Sequence, residues 1–258
     1  MNTTATQTVP KESGHWYTRT GGTCYQVPAK DGTLRPTTLR DARKLQLVPS
    51  VTTVTKIKAA PGLSAWKEKQ ILLAALTLPR LPGETDDAFA ERVIEDSRAQ
   101  AKAAADRGTA LHGAIELAIG GACPPEYLGH IAAIDRALIA AGINLLDGKA
   151  EHSFASCLGY GGKVDWHTDE VLIDFKTKDR IEDGKRLAYD QNIQLAAYKH
   201  GLGIFTARCV NVFVGVEDAA VVVHEWPADE IERGWQMFQH CLALWKLDNN
   251  YNGGWNNE

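Results

Sequence analysis

Asp165, Asp174 and Lys176 lie in a stretch, Gly159 to Lys178, whose pattern reads as two short strands joined by a tight polar turn at Thr168-Asp169-Glu170. Val164 and Trp166 alternate with Lys163, Asp165 and His167. Beyond the turn, Val171, Ile173 and Phe175 alternate with Leu172, Asp174 and Lys176. Residues two apart on a strand share a face, so Asp174 and Lys176 project together. Where Asp165 falls depends on the turn. A two-residue loop at Thr168-Asp169 pairs it with Leu172, diagonally beside Asp174; a four-residue loop sets it directly opposite Asp174; a three-residue loop turns it to the other face. Two carboxylates and a lysine on one patch of sheet, among β-branched and aromatic neighbours, call for a compensating charge, and a divalent metal supplies one. The bland alternative is a surface hairpin with a wet polar face, since Asp-x-Lys alone is common.

Two further segments answer the hairpin. Upstream, in Gly108-Thr109-Ala110-Leu111-His112-Gly113-Ala114-Ile115-Glu116, His112 and Glu116 are i and i+4, one above the other on a helix whose apolar stripe is Leu111, Ile115, Ala118 and Ile119. Downstream, Gln194 and Tyr198 stand one helical turn apart. A lone histidine on such a helix is more often a core residue, and the motifs that follow it reverse that weighting.

Taken in order, GTxxHxxxE, GxxD, DxK and QxxxY resembles the RecB-type branch of the PD-(D/E)XK nuclease superfamily. The set spans Gly108 to Tyr198, about a third of the chain. The eponymous proline is absent, because Val164 precedes Asp165. The run PSVTTVTKIKAAPGLSAW is also similar to the N-terminal part of phage-type and mitochondrial-type exonucleases of the same superfamily. The resemblance implies an α/β, restriction-endonuclease-like core with a mixed central β-sheet flanked by helices. It implies a metal-dependent deoxyribonuclease, most directly an exonuclease acting in recombination, repair or genome processing. Mg²⁺ or Mn²⁺ would be held by Asp165, Asp174, the main-chain carbonyl of Phe175 and His112, whose imidazole suits Mn²⁺ better. Lys176 would orient the attacking water or take its proton. Gln194 and Tyr198, with Gln191 a weaker candidate, would hold the water, the lysine or a phosphate, and Glu116 joins the catalytic set. The rivals are an inactive nucleic-acid-binding protein of the same fold and an endonuclease of the same superfamily. Intact Asp165, Asp174 and Lys176 count against the first, and the lack of an added recognition module counts against the second. A zinc hydrolase lacks its HExxH, an ATP motor lacks its GxxxxGK[ST] loop, and a serine triad has no support in the sequence.

Composition agrees with a globular chain: 258 residues, 44% hydrophobic and 23% charged. The polar N-terminus has no apolar signal core and no run approaches membrane-spanning length, so the expectation is a cytoplasmic protein with no membrane partner. Cys24, Cys123, Cys157, Cys209 and Cys241 are scattered without a CxxC, as suits reduced thiols. Some relatives in this branch carry a four-cysteine iron–sulfur cluster; none is expected here.

Net charge is −4, but residues 1–80 hold 12 Lys and Arg against 4 Asp and Glu, and the remainder holds 16 against 28. That asymmetry suggests two parts: a basic, mainly helical N-terminal subdomain over 1–80 that grips DNA, and a nuclease core over 81–258. Arg40, Arg43 and Lys44 on a short helix would contact phosphates, as would Lys178, Arg180, Lys185 and Arg186 beside the site. A further partner, either a second copy of the chain or a single-strand-annealing or replication protein, is left open.

The remaining elements follow from local signals. A disordered first dozen residues precedes a hairpin from His15 to Val27 that turns at Gly21-Gly22, and Asp31-Gly32 marks another turn. Pro61 opens a helix with Trp66, Ile71, Leu72 and Ala75 on its apolar side, where core packing is favoured over base stacking for Trp66. Pro79 to Gly83 is a break. Asp86 to Ile119 is helical with an interruption near Gly108, where Thr109 caps the next helix. A helix over Pro125–Ala141 is scaffold, and Glu151–Ser156 is the first sheet strand, with Glu151 either near the metal or a solvated strand-end carboxylate. Leu187–His200 is a helix, Arg208–Val216 and Ala219–Trp226 close the sheet, and the last helix over Ala228–Leu247 aligns Ile231, Trp235, Phe238, Leu242 and Trp245 on one stripe. The Asn/Gly-rich tail from Asn249 is loose.

Overall fold

In the computed structural model, which describes residues 15–251, nine strands and seven α-helices follow in the order β1 (Trp16–Tyr17), β2 (Gln26–Pro28), β3 (Leu34–Pro36), α1 (Leu39–Leu45), β4 (Val48–Pro49), α2 (Val51–Thr55), α3 (Pro61–Thr77), α4 (Asp86–Ile119), α5 (Leu128–Ala140), β5 (Lys149–Ser156), β6 (Tyr160–His167), β7 (Val171–Lys178), α6 (Gln191–Leu202), β8 (Arg208–Gly215), β9 (Val221–Glu225) and α7 (Ala228–Asp248). The expectations for the first dozen residues and for residues 252–258 lie outside the described residues. The start of the tail is not loose as expected, because Tyr251 is buried against Trp16 and Trp245 and its hydroxyl donates to the Ala42 carbonyl at 3.1 Å.

The fold is α/β, built on a five-stranded mixed sheet ordered β5-β6-β7-β8-β9. Hairpins make β5–β6, β6–β7 and β8–β9 antiparallel, but β7 and β8 are parallel. A parallel pair needs a crossover between its strands, and α6 is that crossover. β7 is buried from Val171 to Phe175, as a central strand covered on both faces must be. On one face, Leu111 and Ile115 of α4 and Ile134 and Leu138 of α5 pack on Ile173, Phe175, Val210 and Val212. On the other, α2, α6 and α7 bury Val51, Leu195, Phe238 and Trp245 with Tyr160 and Leu172. All five residues of the expected α7 stripe are buried. Trp16, Ala42, Leu47 and Val54 from the N-terminal part belong to this same second core.

Several local expectations are corrected. α4 runs unbroken for 34 residues, starting at an N-cap from Thr85. Thr109 does not cap; its hydroxyl donates back to the Ala105 carbonyl at 3.0 Å, as a mid-helix threonine does. Gly108 reads as a breaker but acts as a contact point, because a Cβ there would lie 2.5 Å from Thr177 Oγ1. α5 begins at Leu128, after a 3₁₀ turn at Pro125–Tyr127, and α6 begins at Gln191, four residues later than expected. The N-terminal hairpin is shorter than expected: Tyr17 bridges Thr23 around the turn, the Thr18 N–H donates to the Gly22 carbonyl and the Cys24 N–H to the Trp16 carbonyl, while β1 also pairs with β4, and β2 with β3. The β1–β4 pairing is non-local and local propensity does not encode it, whereas β2 and β3 form a local hairpin about the expected turn at Asp31-Gly32.

Candidate active site

β6 and β7 are bonded only near their turn, through Trp166↔Ile173 and His167↔Leu172. That register is the four-residue loop, and extended by one step it faces Asp165 with Asp174. There the strands part. Instead of a ladder bond, the Phe175 N–H donates to Asp165 Oδ2 at 2.7 Å. On its other side, the β5–β6 pairing steps from Ala150↔Trp166 to His152↔Val164 and skips Glu151 and Asp165. Glu151 takes a positive φ of 52° and ion-pairs with Lys163. Asp165 therefore sits where β6 is released from both neighbours, which opens the sheet to groups from both helical layers.

From the α4 side, His112 Nε2 lies 3.2 Å from Asp165 Oδ2. That hydrogen bond raises the His112 pKa above its ordinary value against the opposing effect of burial. From the α6 side, Lys176 Nζ donates to Asp174 Oδ1 at 2.8 Å, lies 2.7 Å from Oδ2, and donates to Gln194 Oε1 at 3.1 Å. Gln194 Nε2 donates to Asp174 Oδ1 at 3.0 Å and to the Tyr198 hydroxyl at 2.8 Å. A Cβ on Gly162 would meet the Tyr198 ring at 2.6 Å, so only glycine lets that ring lie against β6. Burial and the two nearby carboxylates hold the Tyr198 hydroxyl protonated, well above the ordinary tyrosine range. Asp174 is 1% exposed, and burial, with Asp165 adding to it, pushes its carboxyl up to about 6 against the pull of Lys176.

Sequence reasoning missed Asn211 and Trp226. Asn211 pairs with Asp174 in the β7–β8 register. Its Nδ2 donates to Asp174 Oδ2 at 2.7 Å and to the Asp174 carbonyl at 3.1 Å, while its Oδ1 accepts from Trp226 Nε1 at 2.7 Å. The signal was there: Asn211 is the lone polar residue in Cys209-Val-Asn-Val-Phe-Val-Gly215, and a buried amide needs partners.

An open cleft of about 680 Å³ borders this network, lined by Trp66, Gly108, Thr109, His112, Lys176 and Lys178 among others. Glu116 stands exposed at its rim. Trp66 is 42% exposed and faces this cleft, which corrects its assignment to the core. The basic residues divide. Lys178 lines the cleft. Arg180 ion-pairs with Glu217 at 2.7 Å and Lys185 with Glu182 at 2.5 Å, while Arg186 donates to the Ala188 carbonyl at 2.6 Å and lies over the Tyr189 ring. Lys185 and Arg186 line a separate hollow with Phe213 and His224. Arg40, Arg43 and Lys44 are exposed on α1, where Arg43 donates to the Asn249 carbonyl beyond α7. Gln191, the weaker candidate, turns back to accept from the Tyr189 N–H at 2.7 Å.

Among the described residues, no group of three Asp, Glu, His or Cys side chains stands ready to hold a metal. The donors are paired among themselves: His112 with Asp165, and Lys176 across both oxygens of Asp174. The donor chemistry nevertheless suits a hard divalent cation, with two carboxylates, a carbonyl and an imidazole. Compared with protein-family models and with curated proteins, the chain matches none. No helix among the described residues is long and apolar enough to cross a membrane.

Proposed function

We propose that the chain is a metal-dependent deoxyribonuclease with a restriction-endonuclease-like core of the RecB-type branch, acting as an exonuclease in recombination, repair or genome processing in the cytoplasm. One observation carries the reading: Asp165 and Asp174 converge where β6 and β7 part, with Lys176, Gln194 and His112 drawn to the same opening from both helical layers.

Asp165, Asp174, the Phe175 carbonyl and His112 would hold Mg²⁺ or Mn²⁺, which when bound supplies the Lewis acid that phosphodiester hydrolysis requires. Lys176 is anchored by Gln194, and Gln194 by Tyr198, so the ammonium is held at the carboxylates rather than swinging free. From there it would orient the attacking water, and it could take that water's proton only after giving up one of its own, since an ammonium has no lone pair. To hold a cation His112 would have to be neutral, giving up the proton that now bonds it to Asp165. Lys178 lies along the cleft to meet a phosphate, and the excess of basic residues over 1–80 supplies a second, longer-range attraction.

The test is to incubate linear and circular DNA with Mn²⁺, with Mg²⁺ and with a chelator. Degradation of linear but not circular DNA, abolished by the chelator, supports the exonuclease. Cleavage of circular DNA supports the endonuclease, and metal-indifferent binding without cleavage supports the inactive binder.

A further inference from the structure

We propose that Asn211 and Trp226 are positioning residues that fix the Asp174 carboxylate for the cation; this rests on the metal-dependent reading above. Asn211 is fully buried and Trp226 nearly so. An asparagine amide has a donor end and an acceptor end, and only its partners decide which way round it sits. The Trp226 indole N–H can only donate, so it claims Asn211 Oδ1 at 2.7 Å. That leaves Nδ2 facing Asp174, where it reaches both the carbonyl and Oδ2. The reverse orientation would set two donors together at Trp226 and an amide oxygen against a carboxylate.

The consequence concerns Asp174. Asn211 is the neutral donor to its Oδ2, Gln194 donates to Oδ1, and Lys176 spans both oxygens. The neutral amide fixes the plane of the carboxylate without adding to the positive charge that Lys176 already brings to it. Trp226 lies in sequence just beyond β9, and the only polar atom of its side chain is committed to this chain of bonds. Partners that orient a ligand in this way typically carry 10- to 100-fold in metal affinity.

The experiment compares the full chain with Asn211→Leu, which keeps the branched shape and removes the donor, and Trp226→Phe, which keeps Asn211 and frees its amide to turn. Mn²⁺ affinity is read by calorimetry at a temperature where melting curves show each protein folded, alongside the Mn²⁺ dependence of DNA cleavage. We expect Asn211→Leu to lose about 10- to 100-fold in affinity and Trp226→Phe a smaller, measurable part of it. Saturating Mn²⁺ should recover more turnover in Trp226→Phe than in Asn211→Leu. Should Asn211→Leu fail to fold, Trp226→Phe decides alone. Wild-type Mn²⁺ affinity in folded variants means that the two residues serve only the core, and it overturns this proposal while leaving the nuclease reading intact. A wild-type protein that binds no Mn²⁺ overturns both. One that binds Mn²⁺ without cleaving DNA overturns the nuclease reading alone, and the affinities still decide this proposal.

Discussion

Helix α6 buries Asn192, Ile193, Leu195, Ala196, Ala197 and Tyr198 among its 12 residues, whereas α3 buries Ala74 alone among 17. Both border the site: α6 through Gln194, α3 through Trp66 at the cleft and through Leu63 beside Gln194 in a neighbouring hollow. The difference separates two tasks. Gln194 and Tyr198 must hold a lysine and a carboxylate in place, and such groups keep their geometry when they stand on an element locked by packing. α3 presents Leu63, Trp66, Leu72 and Leu76 to its surroundings, so it adds surface next to the chemistry without fixing any reacting group. Its exposed apolar side is costly to leave in water, and it can change partners without disturbing the network around Asp174.

The sharpest break of this comparison is chemical. Lys176→Ala should reduce turnover by about 10²- to 10⁴-fold, the range for a group that handles a proton in the reaction, while Mn²⁺ binding is retained and the metal-free melting temperature falls, because buried Asp174 loses its partner. Steady-state kinetics with calorimetry on the same protein checks this. Loss of metal affinity equal to the loss of rate would place Lys176 in binding rather than in the reaction.

Next comes stability. Leu195 is fully buried and Leu76 is 82% exposed. Leu195→Ala should cost about 2–5 kcal/mol, as truncations in a packed core do. Leu76→Ala should stay within about 0.5 kcal/mol. Denaturant titration of both variants decides; similar costs would mean that α3 is packed by something the comparison has left out.

A smaller effect should appear with pH. The Asp174 carboxyl is raised by burial from 3.8 to about 6 in the folded state. A raised group contributes stability that is complete below 3.8 and is lost as pH rises through about 6. In metal-free protein, Asp174→Asn should therefore gain on the wild type across that window, as followed by melting temperature. A constant difference between the two proteins would show that Asp174 titrates near its ordinary value.

The smallest effect concerns α1. Replacing Arg40, Arg43 and Lys44 by alanine should weaken DNA binding and flatten the log–log dependence on salt by about two to three units, with Mn²⁺ affinity unchanged. An unaltered slope would place the phosphate contacts elsewhere, with Lys178 first in line.

The parts legible in the sequence are those governed by short-range periodicity. Alternation over Val164–Lys176 and the turn at Thr168–Glu170 gave β6 and β7, and the α7 stripe is buried as its spacing requires. The loop length between β6 and β7 stayed open because three geometries fit the same residues, and only one faces Asp165 with Asp174. Gly108 misled because a glycine that breaks a helix and one that admits a neighbouring strand look alike in one dimension. β1 found β4 across more than thirty residues, a pairing that tertiary packing selects. Trp66 misled because an apolar stripe signals burial only when something covers it. Asn211 was overlooked because its partners, Asp174 and Trp226, come from separate strands and strand ends.

The central claim, that the carboxylates at the parting of β6 and β7 serve a metal-dependent nuclease, is tested most directly by Asp174→Ala. The variant should fold, since it removes a buried carboxylate raised to about 6 by its surroundings. Mn²⁺ titration by calorimetry and degradation of linear DNA are then measured on it and on the wild type. The wild type should bind Mn²⁺ and degrade the DNA; Asp174→Ala should bind little and lose cleavage by about 10³-fold or more, equivalent to the several kcal/mol a metal contributes to the transition state. Undiminished turnover in folded Asp174→Ala would contradict the account.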